Sequence, residues 1–323
     1  MSTTAGLSSK RQTCDVAKFL AALAVVNGHI VLFGNYDGIL VRFMNLGACC
    51  VALFFFFSGY GLVFSYRKKG NDYLKSFLTH RLGKVVLPLI VAYAITLPVY
   101  AMQKGPINWY LLVETLGWGG PYLKYSWYVT EIIGVYVLFY VSMKNKMQLN
   151  SKLLILSMLV LIFMGVLWTT HQPIWYIVSL LGFIIGIWWQ RYEEKVLSFL
   201  KKCNVPVLIL VVAGMWFVVW QWPITGKNLL QAYRYEFAAM FVSAGLFPVL
   251  IALVIGAMRI TPSDCCVTRS YYEIYLVQNC AMIIASSIAG SFASYWVYTM
   301  VAVLLISAIQ FQIDRQIYKL IGL

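Results

Sequence analysis

His29 interrupts the apolar run "FLAALAVVNGHIVLF" over 19–33, in which Asn27 is the other polar residue. An imidazole exchanges a proton near neutral pH, so the chemistry such a residue offers is general-base catalysis or proton relay. Glu131, in "YSWYVTEIIGVYVLF", is the second ionisable group inside an apolar stretch. A carboxylate beside an imidazole fixes its tautomer and raises its basicity, which makes Glu131 the candidate partner of His29. Each residue also has a plainer reading. A histidine is often hydrogen-bonded between helices without reacting, and a glutamate can sit protonated against Trp or Tyr neighbours.

Other polar positions group around these two. Lys18 lies eleven residues before His29, about 1100° of helical turn, and so returns to within ~20° of the same face. Asp15 falls ~40° from it, placing Asp15, Lys18 and His29 along a line roughly 16–21 Å long. The segment "YRKKGNDYLKSFLTHRLGKVVLP" holds Arg67, Lys68, Lys69, Lys75, His80, Arg81 and Lys84. For Arg67, Lys68 and Lys69 a topology signal against anionic headgroups suffices. Arg81 and Lys84 are three apart and expected on the opening turn of a helix, where two cations and free N–H groups make a phosphate clamp. In "LFFFFSGYGLVF", Ser58 and Gly59 are small residues inside a bulky stretch, admitting either a neighbouring helix or an extended ligand. Glu273, Gln278 and Asn279 in "SYYEIYLVQN" add a further polar group, and His171 stands in a short turn where solvation accounts for it.

The elements that must position these residues follow from composition. The 323-residue chain is 61% hydrophobic and 11% charged, with mean hydropathy +0.78. Soluble domains average roughly 25% charged residues. The fold class expected is therefore an all-α, polytopic transmembrane helical bundle, with a water-soluble helical protein excluded by the charge deficit. Ten spans are expected, near 18–35, 46–66, 82–102, 126–143, 153–170, 173–190, 205–222, 236–257, 270–290 and 293–311. Pro88 and Pro98 fall inside the third, where lipid tolerates them only if protein satisfies the freed backbone.

With the N-terminus in the cytoplasm, 20 lysines and arginines fall in inner segments. Five fall outside: Arg42, Lys104, Lys124, Lys227 and Arg234. The positive-inside rule then puts both termini in the cytoplasm. The net charge of +14 is spread over the membrane-flanking segments, which argues against nucleic acid as a partner. Seven cysteines, among them Cys14, Cys203, Cys265, Cys266 and the adjacent pair Cys49 and Cys50, show neither a disulfide framework nor metal-ligand spacing. No cleavable signal peptide and no internal repeat is evident. The expectation is one membrane domain over 1–323, with a leader over 1–17 and no appended soluble domain.

Taken together, these stretches resemble the acyltransferase 3 family, the membrane O-acyltransferases of bacterial surface polysaccharides. "DVAKFLAALAVVNGH" resembles its opening helix, in which a basic residue precedes an essential histidine with ten residues between; here the pair is Lys18 and His29, and lysine lacks arginine's bidentate fork. "FFFFSGYGLVFSYRKK" is similar to its second helix. "FLTHRLGKVVLP" is similar to its basic third-helix entrance, with Arg81 matching and Lys84 in place of a second arginine. "SWYVTEIIGVYVLF" resembles the fourth-helix segment opening with Trp127 and Tyr128, and "SYYEIYLVQN" a late helix that often ends in histidine, a place held here by Gln278.

The resemblance implies transfer of an acyl group, usually acetyl, from cytoplasmic acyl-CoA to a hydroxyl of a glycan or its lipid-linked precursor, in the bacterial cytoplasmic membrane. It implies a donor site formed by Lys18, Arg81, Lys84, Ser58 and Gly59, with no metal. His29 would serve as the base and Glu131 as its orienter, with Asp15, Asn27, Trp127 and Tyr128 positioning substrate or base. Direct attack by the acceptor and a two-step route through an acyl-histidine are both open. Two other readings compete: a proton-coupled exporter or flippase of lipid-linked glycan, and a structural accessory of a polymer synthase. Membrane lipids are partners on every reading, and the oligomeric state is open.

Overall fold

The computed structural model describes residues 2–33, 46–200, 202–220, 229–257 and 266–323. Arg42, Lys227 and Cys265, and the side chains of Arg234 and Cys266, lie outside the described residues. Thirteen α-helices are described: α1 (Ser2–Phe33), α2 (Leu46–Lys69), α3 (Asp72–Lys75), α4 (Phe77–Lys104), α5 (Trp109–Glu114), α6 (Trp127–Lys144), α7 (Leu149–Thr169), α8 (Ile174–Ser179), α9 (Leu181–Leu200), α10 (Val205–Trp220), α11 (Leu229–Ala257), α12 (Tyr271–Ile288) and α13 (Phe292–Ile321). The protein is all-α and polytopic. Among the described residues, seven helical stretches are long and apolar enough to cross a membrane, and Val205–Val218 is a shorter apolar one. α6 and α12, two of the expected spans, fall outside that set; they carry Glu131 and the Glu273, Gln278 and Asn279 group.

The chain divides into two compact units, interleaved in sequence. One comprises Met1–Ala21, Asn45–Tyr73 and Ser142–Asp264; the other comprises Ala22–Met44, Leu74–Val141 and Cys265–Leu323.

In the first unit, α2 is the hub, buried without a break over 48–57. It packs on α9, α11 and α8. Small residues let α2 and α9 touch backbone to backbone: a Cβ on Gly182 would lie 1.8 Å from the Ala52 carbonyl oxygen, and one on Gly186 2.2 Å from that of Phe56. Both pairs advance four residues along each chain, so the two helices run parallel with one seam of contact. Ala48, Ala52, Ile174, Val178 and Ala244 close the core beside it. The outward faces of α7 and α10 expose Met158, Ile162, Leu210 and Met215, the composition a lipid-facing surface needs.

In the second unit, α12 and α13 form an antiparallel pair, and both pack on α4. Pro88 sits inside α4 and cannot donate to the Lys84 carbonyl one turn earlier. The Tyr318 hydroxyl donates to that carbonyl at 3.4 Å, Tyr272 donates to Val85 O at 3.0 Å, and Gln310 Nε2 donates to Pro88 O at 2.8 Å. Tyr318 of α13 thus supplies the one donor that the proline lacks, as a backbone in lipid requires, while Tyr272 and Gln310 add bonds to neighbouring α4 carbonyls. α13 opens with a reciprocal Ser291–Ser294 capping box and ends at Gly322 in the left-handed region.

Candidate active site

α12 builds the site. Tyr275, Gln278 and Asn279 are spaced i, i+3, i+4 and share one helical face. All three are buried. Asn279 Nδ2 donates to the Tyr122 carbonyl at 2.9 Å and to that of Pro121 at 3.3 Å. The Tyr275 hydroxyl donates to the Tyr125 carbonyl. Loop 115–126 is thereby pinned to α12 by three bonds to its main chain. Gly119 lets the loop fold back on itself: its φ is +83°, and a Cβ there would stand 2.4 Å from the Lys124 carbonyl oxygen. Tyr122 also ties the loop to the start of α5, accepting from Asn108 N at 2.9 Å.

The pinned loop delivers Tyr125 onto His29. The two rings stack with centroids 3.6 Å apart and planes 11° from parallel. Burial, reinforced by the nearby Tyr295, holds the Tyr125 phenol above the usual tyrosine range, so the stacking partner is a neutral ring. The edge of the imidazole is held as well. His29 Nδ1 lies 2.8 Å from Gln278 Oε1, and Gln278 Nε2 donates to the Tyr275 carbonyl at 2.9 Å. His29 itself is half-buried, and its Nε2 makes no hydrogen bond among the described residues. Asn27, two residues away, accepts from Trp296 Nε1 at 2.8 Å and ties α1 to α13.

The sequence reading assigned Glu131 to His29, but Gln278 occupies the nitrogen that Glu131 was expected to hold. Glu131 is fully buried, and neither of its carboxyl oxygens has a hydrogen-bond partner among the described residues. On the opening turn of α6, Trp127 and Tyr128 are buried, and Tyr128 meets Tyr275 edge-on at 5.4 Å. A buried carboxyl without a partner destabilises a fold. Glu131→Met should therefore raise the melting temperature by a few degrees, about 1–2 kcal/mol. A lowered melting temperature in a thermal-shift assay would mean that the carboxyl has a partner.

Arg81 and Lys84 were expected beside a helix N-terminus, and the structure corrects this. α4 starts at Phe77, so the two cations lie in its second and third turns, beyond the free N–H groups. The earlier start has a packing cause. Phe77 is 1% exposed, stacked on Tyr140 and in contact with Tyr136 and Phe139 of α6, and that burial recruits the segment ahead of Arg81 into the helix. Arg81 remains half-buried and Lys84 exposed.

Four sequence candidates belong to the other unit. Lys18 Nζ pairs with Asp15 Oδ1 at 3.3 Å and lies 5.5 Å from the centre of the Phe57 ring. The close approach expected at Gly59 is made by a helix: a Cβ there would stand 2.6 Å from the Phe183 carbonyl oxygen of α9. Ser58, beside it, is half-buried. One residue on, Tyr60 donates to Glu193 Oε2 at 2.8 Å, another α2–α9 tie.

A stacked, edge-anchored imidazole whose second nitrogen is unengaged among the described residues suits proton transfer, and comparison with known families names the class of reaction. The family described as an acyltransferase domain, Acyl_transf_3, matches residues 12–310. The chain belongs to the acyltransferase 3 family. No curated protein and no solved structure matches it significantly. With its apolar helices, this acyltransferase 3 member is a multi-pass membrane acyltransferase.

Sequence reasoning missed Tyr125 and Tyr275, and it noted Gln278 without its partner. The i, i+3, i+4 polar face of α12 was a usable signal for Tyr275 and Gln278. Nothing periodic marks Tyr125, which reaches His29 only through the loop.

Proposed function

We propose that the protein is an O-acyltransferase, moving an acyl group, acetyl by preference, from acyl-CoA to a hydroxyl of a cell-surface glycan or its lipid-linked precursor in the bacterial cytoplasmic membrane. The single observation supporting a base at His29 is its fixation by Gln278 on the edge and Tyr125 on the face, with Nε2 left over. In this reading Nε2 takes the proton of the acceptor hydroxyl as its oxygen attacks the thioester carbonyl. The tetrahedral intermediate then collapses, the C–S bond breaks, and the imidazolium returns the proton to the departing CoA sulfur. The CoA phosphates rest on Arg81 and Lys84, as point charges along one face of α4 rather than at a helix terminus. Glu131 is given no proton-transfer step.

The test is consumption of radiolabelled acetyl-CoA by the purified protein in lipid nanodiscs, with membranes of the producing cell supplying the acceptor. Label should pass into the glycan fraction with release of one CoA thiol per acetyl group. An exporter or flippase would leave the thioester intact, and that result would overturn the proposal. In the same assay the double variant Arg81→Gln, Lys84→Gln should raise KM for acetyl-CoA about fivefold or more while retaining kcat. An unchanged KM would remove these two residues from the donor site.

A further inference from the structure

We infer that Gln278 is a positioning residue that fixes the tautomer of His29, keeping the proton on Nδ1 and leaving Nε2 as the base, and does so without a charge. The inference rests on the reading of His29 as the base. It follows from donor and acceptor bookkeeping around one amide. The Tyr275 carbonyl can only accept, so the end of Gln278 that faces it at 2.9 Å is the NH2 group. The other end, facing His29 Nδ1 at 2.8 Å, is then the carbonyl oxygen, which also can only accept. Nδ1 must therefore carry the proton. In the opposite tautomer two lone pairs would face each other at hydrogen-bond distance. Gln278 is fully buried, so no water competes for either end of the amide.

Tyr275 locks this arrangement twice. Its carbonyl orients the Gln278 amide, and its hydroxyl holds the Tyr125 carbonyl of the loop whose ring stacks on the imidazole. Stacking fixes the plane of His29 and Gln278 fixes its rotation within that plane, so Nε2 points one way. The neutral amide matters as much as the geometry. A carboxylate on Nδ1 would stabilise the imidazolium and retain the proton after abstraction, whereas an amide oxygen orients the ring and lets the proton pass on to the leaving sulfur.

The chain contains three histidines, His29, His80 and His171, few enough for nitrogen-15 NMR of histidine-labelled protein in nanodiscs to be assigned with a His29→Ala control. The wild type should show a protonated Nδ1 and an unprotonated Nε2 for His29. Gln278→Leu should give a mixed or reversed pattern, together with a loss of kcat on the order of 10²-fold and a KM for acetyl-CoA within about twofold of wild type. Gln278→Glu should keep the Nδ1 proton but move the acid limb of the pH–rate profile upward by about one unit, because the new carboxylate favours the imidazolium. A wild-type spectrum with the proton on Nε2 overturns the inference without any variant, as does full turnover with an unchanged spectrum in Gln278→Leu. Should His29→Ala remain active while the wild-type tautomer is as stated, the base reading fails and the hydrogen-bond assignment stands.

Discussion

Replacing His29 by alanine is expected to lower acyl transfer by on the order of 10³-fold, the range that a positioned general base supplies. The loss should appear in kcat, since on the proposed reading His29 moves a proton and does not hold CoA. Folding should survive the change. The variant forfeits one hydrogen bond to Gln278 and one stacked ring contact with Tyr125, together about 1–3 kcal/mol, against a typical stability of about 5–15 kcal/mol. Membrane extraction yield and size-exclusion profile should therefore match wild type while label transfer from acetyl-CoA disappears. Turnover at the wild-type rate would rule out His29 as the base and leave the family's reaction to another residue of this chain. His29→Gln is the informative companion: it is polar and similar in reach, yet has no lone-pair nitrogen of suitable basicity, and it should be as inactive as alanine.

Gly182→Ala is expected to be the most destabilising single methyl group in the first unit. Its Cβ would stand 1.8 Å from the Ala52 carbonyl oxygen and 2.6 Å from the carbonyl carbon, both backbone atoms of a helix that cannot swing aside. α2 and α9 would have to separate, and the seam continues through Gly186 against Phe56 and Gly59 against Phe183, so the disturbance spreads along both helices. A cost of about 3 kcal/mol or more follows from overpacking of this severity. The readout is the fraction of monodisperse protein recovered in detergent and its melting temperature, compared with Gly165→Ala. Gly165 has no atom within 4 Å of its added Cβ and should tolerate the change. Equal stability of the two variants would mean that α2 and α9 are not packed this closely.

The contrast between these residues shows what linear order contains. An apolar run long enough for a bilayer, broken by a histidine, is visible in composition alone, because lipid penalises polar groups at every position along a span. For that reason the all-α polytopic class and the family resemblance could both be read from residue type and spacing, and the same reading nominates His29 as a candidate base. Pro88 in α4 was legible too as a demand for an outside donor, though Tyr318 as its source was not.

Partnership between residues far apart in the chain has no such signature. Glu131 was matched to His29 by depth, a quantity that every inward-facing residue at that level shares. The bond instead goes to Gln278, 249 positions away, because α12 turns that amide toward α1. Gly59 offered a gap that sequence could not fill with either a ligand or a helix, and the α9 backbone fills it. Arg81 looked like the start of a helix until the burial of Phe77 against α6 moved that start one turn earlier. Residue type limits what a side chain can do at a given depth in lipid, but which neighbour it meets depends on rotations and offsets of whole helices, and those are set by packing summed over both partners.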